Sequence, residues 1–232
     1  MENATVIFPV VDVRSEPRFE SERESQLIFG EVVKIIGYQN EYAEVICSDG
    51  VHGFVKKTQL GEYKIKKYKI KKHIMLKKIK LPFSAYIDDD DISKFDIPED
   101  CIEPLNKRRE PYEIAMDFLT VPYLWGGTSS FGFDCSGLTQ RAFRYNNIDI
   151  PRNSKDQMMF SIDINNIDEA RPNDLIFFKG HVGIYLGDML MVHANGHYGC
   201  VTVTDLSNND EYSKYLMSIM LKIGRIKADG QV

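Results

Sequence analysis

The chain has 232 residues, of which 43% are hydrophobic and 27% charged, and its formal net charge is -5. That length holds a catalytic domain with a small companion, and the composition excludes a disordered or fibrous chain. The mildly acidic balance gives no basis for nucleic-acid binding.

The first residues, MENATVIFPVVDVRSEP, lack the basic start, long apolar stretch and small-residue cleavage site of an export signal, which predicts a cytoplasmic protein. No apolar run in the sequence reaches the roughly 20 residues that span a bilayer. From Val6 to Leu60 the chain reads as short β-branched strands (VIFPVV, GEVVKIIGY, YAEVICS, HGFVKK) with a turn at Asp49-Gly50. This pattern suits a small barrel or half-open sheet, and nothing in it looks catalytic. Between Lys64 and Lys80 nine lysines alternate with Ile, Tyr, Met and Leu, which predicts twisted strands with one solvated face. Residues 88–91 are consecutive aspartates without the spaced ligands and glycine of a calcium loop. They read as a helix start, with Asp91 as the cap of ISKF. Pro98, Pro104 and Pro111 punctuate a connector.

A different pattern begins near Glu110. EPYEIAMDFLT predicts a helix with Ile114, Phe118 and Leu119 on its apolar face. The glycine-rich loop WGGTSSFGF leads into DCSGLTQRAFRYNN, a helix capped by Asp134 and ended by Asn146-Asn147. LIFF, HVGIYLG and MLMVHA then read as adjacent antiparallel strands, giving an α+β domain with the cysteine helix packed on its sheet.

Of the four cysteines, Cys47, Cys101, Cys135 and Cys200, none shows zinc-type spacing, and three read as small buried hydrophobes. Cys135 differs: it sits in the first turn of a helix, where the free N–H groups and the dipole favour a thiolate. A buried structural cysteine is the alternative. His181 begins one strand and His193 ends the next, so they can meet as base and orienting group. A two-residue loop at Gly187-Asp188 would put His193 opposite Val182, on the wrong face. Sharing a face therefore requires an odd loop or a bulge. His197 competes with His193, whose neighbours VHA place it in the regular strand. His52 and His73 read as surface residues, and the histidines lack further partners for a metal site.

PYLWGG, DCSGL, PRNS, HVGIYLG and VHANG, in this order, resemble the NlpC/P60 family of cell-wall peptidases over about residues 105–225. The resemblance implies a papain-like core, with Cys135 as nucleophile, His181 as base and His193 as orienting residue. It gives Tyr123 and the Cys135 N–H the oxyanion, and Asp134, Ser136 and Ser154 the substrate, with Asp134 meeting a free N-terminal ammonium. Trp125 is expected to pack beneath the loop.

RSEP and SQLIFGE resemble a bacterial SH3-like domain, and IKLPFSAYIDDDDISKFDIPE resembles the reduced second module of the dipeptidyl-peptidase VI branch. The implied organisation is an SH3-like barrel at 1–62, a reduced second module at 63–104 and the papain-like peptidase at 105–232. Glu22 matches an acidic residue that reaches the substrate amine from the SH3-like domain. DGVHGF departs from the aromatic pattern at that point, with Val51 and Phe54, which bears on how the pocket is closed.

The activity implied is hydrolysis of the γ-D-glutamyl–diamino acid bond in murein tripeptides or tetrapeptides with a free L-Ala, releasing L-Ala-γ-D-Glu. Diaminopimelate and lysine both remain open as the third residue. An amidase or acyltransferase on the same scaffold, or a non-catalytic wall-peptide binder, are the alternatives. No cofactor, metal, nucleic acid or membrane is implied, and a monomer is expected.

Overall fold

The structure, a computed structural model, describes residues 2–227. It divides into two compact units, one made of the chain up to Lys107 with Thr128–Phe131, the other of Arg108–Gly127 and the chain from Gly132.

The larger sheet of the first unit has β1 (Glu2–Val6), β2 (Val10–Arg14), β3 (Arg23–Ile28), β4 (Val32–Gln39), β5 (Tyr42–Cys47), β6 (His52–Lys56) and β7 (Leu60–Glu62). Along β2 and β4 buried residues alternate with more exposed ones, the period-two signature of a sheet with one face in the core. That core holds Val6, Val11, Val13, Val33, Val45 and Val55.

The barrel expected for residues 1–62 does not form. The strand order is β3-β2-β6-β5-β4-β1-β7, and its two end strands do not pair with each other. Closure requires the first and last strands to exchange ladder hydrogen bonds. β13 (Thr128–Ser129) lies beside β3 without joining its sheet. Thr128 Oγ1 donates to the Gln26 carbonyl at 2.9 Å, and the Thr128 N–H donates to Gln26 Oε1 at 3.3 Å. At the other end β7 is only 3 residues long.

A second cluster in this unit gathers Ile28, Phe29, Ile70, Leu81, Ala85 and Ile87. It is framed by β8 (Tyr68–Ile70), β9 (Ile74–Met75), β10 (Lys80–Leu81), β11 (Tyr86–Ile87), α1 (Asp89–Phe95) and β12 (Ile102–Pro104). The cap of α1 is Asp88 rather than Asp91. Asp88 accepts from the Asp91 N–H, and Asp91 accepts from the Asp88 N–H, a reciprocal capping box. The aspartate run also answers the lysine run: Lys66 lies 2.9 Å from Asp88 and 2.6 Å from Asp91. Lys64 pairs with Asp90 and Lys67 with Asp89. Much of the basic stretch expected to face solvent is thus matched by its own carboxylates.

The second unit holds α2 (Pro111–Met116), β14 (Gly132–Phe133), α3 (Cys135–Arg144), α4 (Ser154–Phe160), β15 (Ile162–Ile164), β16 (Leu175–Phe178), β17 (His181–Gly187), β18 (Leu190–Asn195), β19 (Cys200–Asp205), α5 (Glu211–Ser218) and β20 (Met220–Arg225). Its sheet runs β15-β20-β16-β17-β18-β19. Helices α2 and α3 pack on β17 and β18, as the apolar patterns predict. Leu216 of α5 buries with Ile176, Phe178, Tyr185 and Met191 of the sheet.

Helix α2 is shorter than the predicted segment and ends at Met116. Phe118 remains buried, while Leu119 is exposed and Thr120 takes φ 70°. Trp125 is 65% exposed, contrary to the packing expected for it. The place for a large ring in this part of the unit is taken by Phe118 and Phe133, whose centroids lie 4.9 Å apart.

Candidate active site

Helix α3 begins where a side chain can serve its free N–H groups. Asp134 caps it, accepting from the Gly137 N–H at 2.7 Å. A Cβ at Gly137 would stand 2.1 Å from the Gly127 carbonyl oxygen, so only glycine lets the loop close on the helix here. Cys135 is thereby fixed at the first helical position, 9% exposed.

The hairpin β17–β18 meets the parity requirement through a bulge. Gly187 pairs with Leu190, while Tyr185 pairs with Met191 and Ile184 with Val192, so one extra residue sits in β17. The tight turn falls on Asp188 and Met189, both at positive φ, one residue later than the Gly187-Asp188 position read from the sequence. This register carries His193 to the face of His181, and His181 Nε2 lies 2.7 Å from His193 Nδ1. A Cβ at Gly183 would lie 2.3 Å from Met191 Sδ, so a larger residue here would displace the Met191 side chain.

Behind His193 the chain continues. Its Nε2 lies 2.9 Å from Thr204 Oγ1 on β19 and 3.3 Å from Asn195 Nδ2. His193 is fully buried, whereas His197 stacks on Tyr212 at 4.1 Å and takes no part in this chain of contacts. His52 and His73 are exposed.

Burial dominates the electrostatics. It pushes the Cys135 thiol up to about 11, and the Asp134 charge adds to that effect. The N–H groups of Val182 and Ser136, and then Arg152, act in the opposite direction without overcoming it. The Val182 N–H that acts on the sulfur belongs to the start of β17, next in sequence to His181. Burial likewise lowers His181 to about 4, against a weaker upward pull from Asp134. His193 falls well below the ordinary histidine value, through burial and then the neighbouring His181. The helix N-terminus favours a thiolate, but burial opposes charge on both the sulfur and the imidazole.

Tyr123 is half-buried and its phenol is pushed up to about 12, first by burial and then by Cys135 and Asp134. It is therefore a neutral O–H donor near the sulfur. Ser154 opens α4 and is half-buried. Glu22 is exposed and belongs to the first unit.

Asp134 is more heavily engaged than its sequence context suggests. Arg152 grips it with two bonds, Nη1 to Oδ1 at 3.0 Å and Nη2 to Oδ2 at 2.6 Å, and also donates to Ser136 Oγ at 2.9 Å. The Gly126 N–H donates to Oδ2 at 2.9 Å. Arg152 lies in the PRNS motif, and a buried arginine must find a carboxylate, but the motif by itself does not show which one. Thr204 left no sequence signal. His193 pairs with Thr202, so Thr204 is a same-face diagonal neighbour visible only once the β18–β19 register is known. Among the described residues no group of three or more His, Cys, Asp or Glu side chains is placed to hold a metal ion. No described helix is long and apolar enough to cross a membrane.

This arrangement can do nucleophilic acyl transfer: a sulfur at a helix N-terminus, an imidazole beside it, and a second imidazole fixing the first. Comparison with known proteins points the same way. The NlpC/P60 family model matches residues 120–220, and the bacterial dipeptidyl-peptidase Sh3 domain model matches residues 13–60. A gamma-D-glutamyl-L-lysine dipeptidyl-peptidase of Bacillus subtilis (strain 168) is 30% identical over 216 residues, covering 74% of this chain and 72% of that protein. Dipeptidyl-peptidase 6 of Lysinibacillus sphaericus is 35% identical over 131 residues, covering 56% of this chain. The match spans 48% of the Lysinibacillus protein, about half its length. The crystal structure of an NlpC/P60 family protein from Bacillus cereus ATCC 10987 superposes with a TM-score of 0.78 at 18% identity, covering 97% of this chain and 99% of that one. At that identity the likeness speaks for the fold.

Proposed function

The chain belongs to the NlpC/P60 family, with an SH3-like module ahead of the papain-type region, and we propose that it is a cysteine peptidase cutting the γ-D-glutamyl–diamino acid bond of murein peptides. The observation that carries this reading is the 2.7 Å contact between His181 and His193, set beside a helix-start cysteine. The Bacillus subtilis relative, whose name describes a gamma-D-glutamyl-L-lysine dipeptidyl-peptidase, supports the bond chosen.

The proposed cycle begins from the neutral pair. His181 Nε2 is engaged by His193, so Nδ1 is the nitrogen left to accept the thiol proton. The sulfur attacks the γ-glutamyl carbonyl, and the oxyanion is met by the Cys135 N–H and the Tyr123 hydroxyl. Donors placed in this way are worth roughly 3–4 kcal/mol each to the transition state. The tetrahedral adduct collapses, the C–N bond breaks, and the leaving nitrogen takes its proton from His181. Water, deprotonated by the same imidazole, then cleaves the thioester and restores the thiol.

Recognition of the amino end is part of the proposal. A substrate ammonium that reaches Asp134 must share the carboxylate with Arg152, which already fills both oxygens. Ser136 and Ser154 are assigned to hold the dipeptide's backbone and carboxylate.

The test is mass spectrometry of products from L-Ala-γ-D-Glu-L-Lys, L-Ala-γ-D-Glu-meso-diaminopimelate and their N-acetylated forms. Release of L-Ala-γ-D-Glu from the free-amine peptides, abolished in C135A, is the expected result. Undiminished release by C135A would sink the assignment of the nucleophile, and no release from any peptide would sink the choice of bond.

A further inference from the structure

The second unit has a cleft of about 580 Å³ on the imidazole side of the sulfur–imidazole pair, walled in part by His181 and not by Cys135. Its other walls are the Lys179-Gly180 turn before β17, the Asn195–His197 segment at the end of β18, and one side of α5. This volume lies within the roughly 300–1,000 Å³ range of small-molecule sites and exceeds what one amino-acid side chain fills.

The direction of the chemistry says what belongs there. Whatever amide is cut, the group that protonates the leaving nitrogen must stand next to it. In this site that group is His181, so the residue expelled as the amine lies on the His181 side, where this cleft opens. The acyl half lies on the other side of the sulfur, with Asp134 and Arg152.

The walls supply three kinds of contact. Tyr212 and His197 stack at 4.1 Å with their planes 6° apart, a flat surface for an aliphatic chain. Glu211 and Lys179 are both exposed at the cleft and carry opposite charges. Among the described residues neither forms an ion pair. A cleft offering one free carboxylate, one free ammonium and an aromatic plane matches a leaving residue with an ammonium, a carboxylate and methylenes between them.

We propose that this cleft is the subsite for the leaving diamino acid, its side-chain ammonium directed to Glu211 and its carboxylate to Lys179. The inference rests on the peptidase reading above and adds the residues that would select a diamino acid over a neutral one. The charges are at the rim, so each contact changes affinity by about fivefold rather than by orders of magnitude.

The experiment is calorimetric binding to full-length C135A, which cannot turn substrate over. The probes are L-Ala-γ-D-Glu-L-Lys, its Nε-acetyl form and its C-terminal amide. The free-ammonium peptide should bind about fivefold tighter than the acetylated one. Adding E211Q should erase that difference, and adding K179Q should erase the preference for the free carboxylate over the amide. Equal affinities for all three peptides, or a difference untouched by E211Q and K179Q, would overturn the proposal, as would no measurable binding. If wild-type protein releases no dipeptide while the Glu211-dependent difference persists, the choice of reaction falls and the subsite stands.

Discussion

His181 Nε2 and His193 Nδ1 stand 2.7 Å apart, and on the far side of the second ring Nε2 stands 2.9 Å from Thr204 Oγ1. If His181 is to take the thiol proton on Nδ1, its Nε2 must carry the hydrogen and donate to His193 Nδ1. His193 must then be protonated on Nε2 and donate to the Thr204 hydroxyl. The Thr204 hydroxyl can accept that hydrogen, and so supports on both imidazoles the tautomers the cycle needs.

Replacing Thr204 by Val removes the acceptor while keeping the shape. T204V should lower kcat about tenfold with little change in KM, because the acyl-binding groups are untouched. T204S should restore most of the rate. A KM effect without a kcat effect would assign Thr204 to packing instead.

The neutral thiol has a kinetic signature. With Cys135 pushed up to about 11, its alkylation by iodoacetamide should accelerate about tenfold per pH unit from pH 6 to pH 9. A preformed thiolate would react at a pH-independent rate over that range. C135A supplies the background from Cys47, Cys101 and Cys200, and a flat profile would contradict the burial argument.

The same burial makes the second unit sensitive to acid. His181 is lowered to about 4 in the folded chain from its ordinary 6.5, so between those values the unfolded chain binds more protons. The stabilisation is complete above pH 6.5 and is lost as pH falls toward 4, by about 3 kcal/mol for this group. His193 acts in the same direction. Urea unfolding from pH 7.5 to 4.5 should show this loss, and the double variant H181N/H193N should show a flatter profile.

Arg152 and Asp134 are both buried, with side chains 3% and 10% exposed. Removing the arginine alone leaves a carboxylate without its bidentate partner, so R152M should destabilise by about 3–5 kcal/mol. R152M/D134N should recover part of that loss, because neither half of the pair then remains charged. A double variant no more stable than R152M, measured by urea unfolding, would show that the pair acts through packing rather than charge.

Much of the site was legible because it is encoded locally. An aspartate before a small-residue helix start announces a cap, and Asp134 serves as one. Two histidines twelve residues apart across a hairpin raise a parity problem, and the bulge between Tyr185 and Gly187 resolves it. The charge runs at 64–80 and 88–91 are visible in the sequence, but not that Lys66 joins the Asp88–Asp91 capping box, since 22 and 25 residues separate the partners. Trp125 looked like core because large apolar residues usually bury, yet Phe118 and Phe133 are the rings packed there.

Properties that depend on nearby chain came from the sequence: the cap of α3, and the need for an odd loop or a bulge if His181 and His193 are to share a face. Those that depend on distant chain came from folding. Arg152 reaches Asp134, Thr204 reaches His193, and Thr128 bonds to Gln26 of β3. The ionisation of Cys135 belongs to the second group. A helix terminus is a local feature that favours the thiolate, but burial is imposed by the whole unit, and at this sulfur burial is the larger effect.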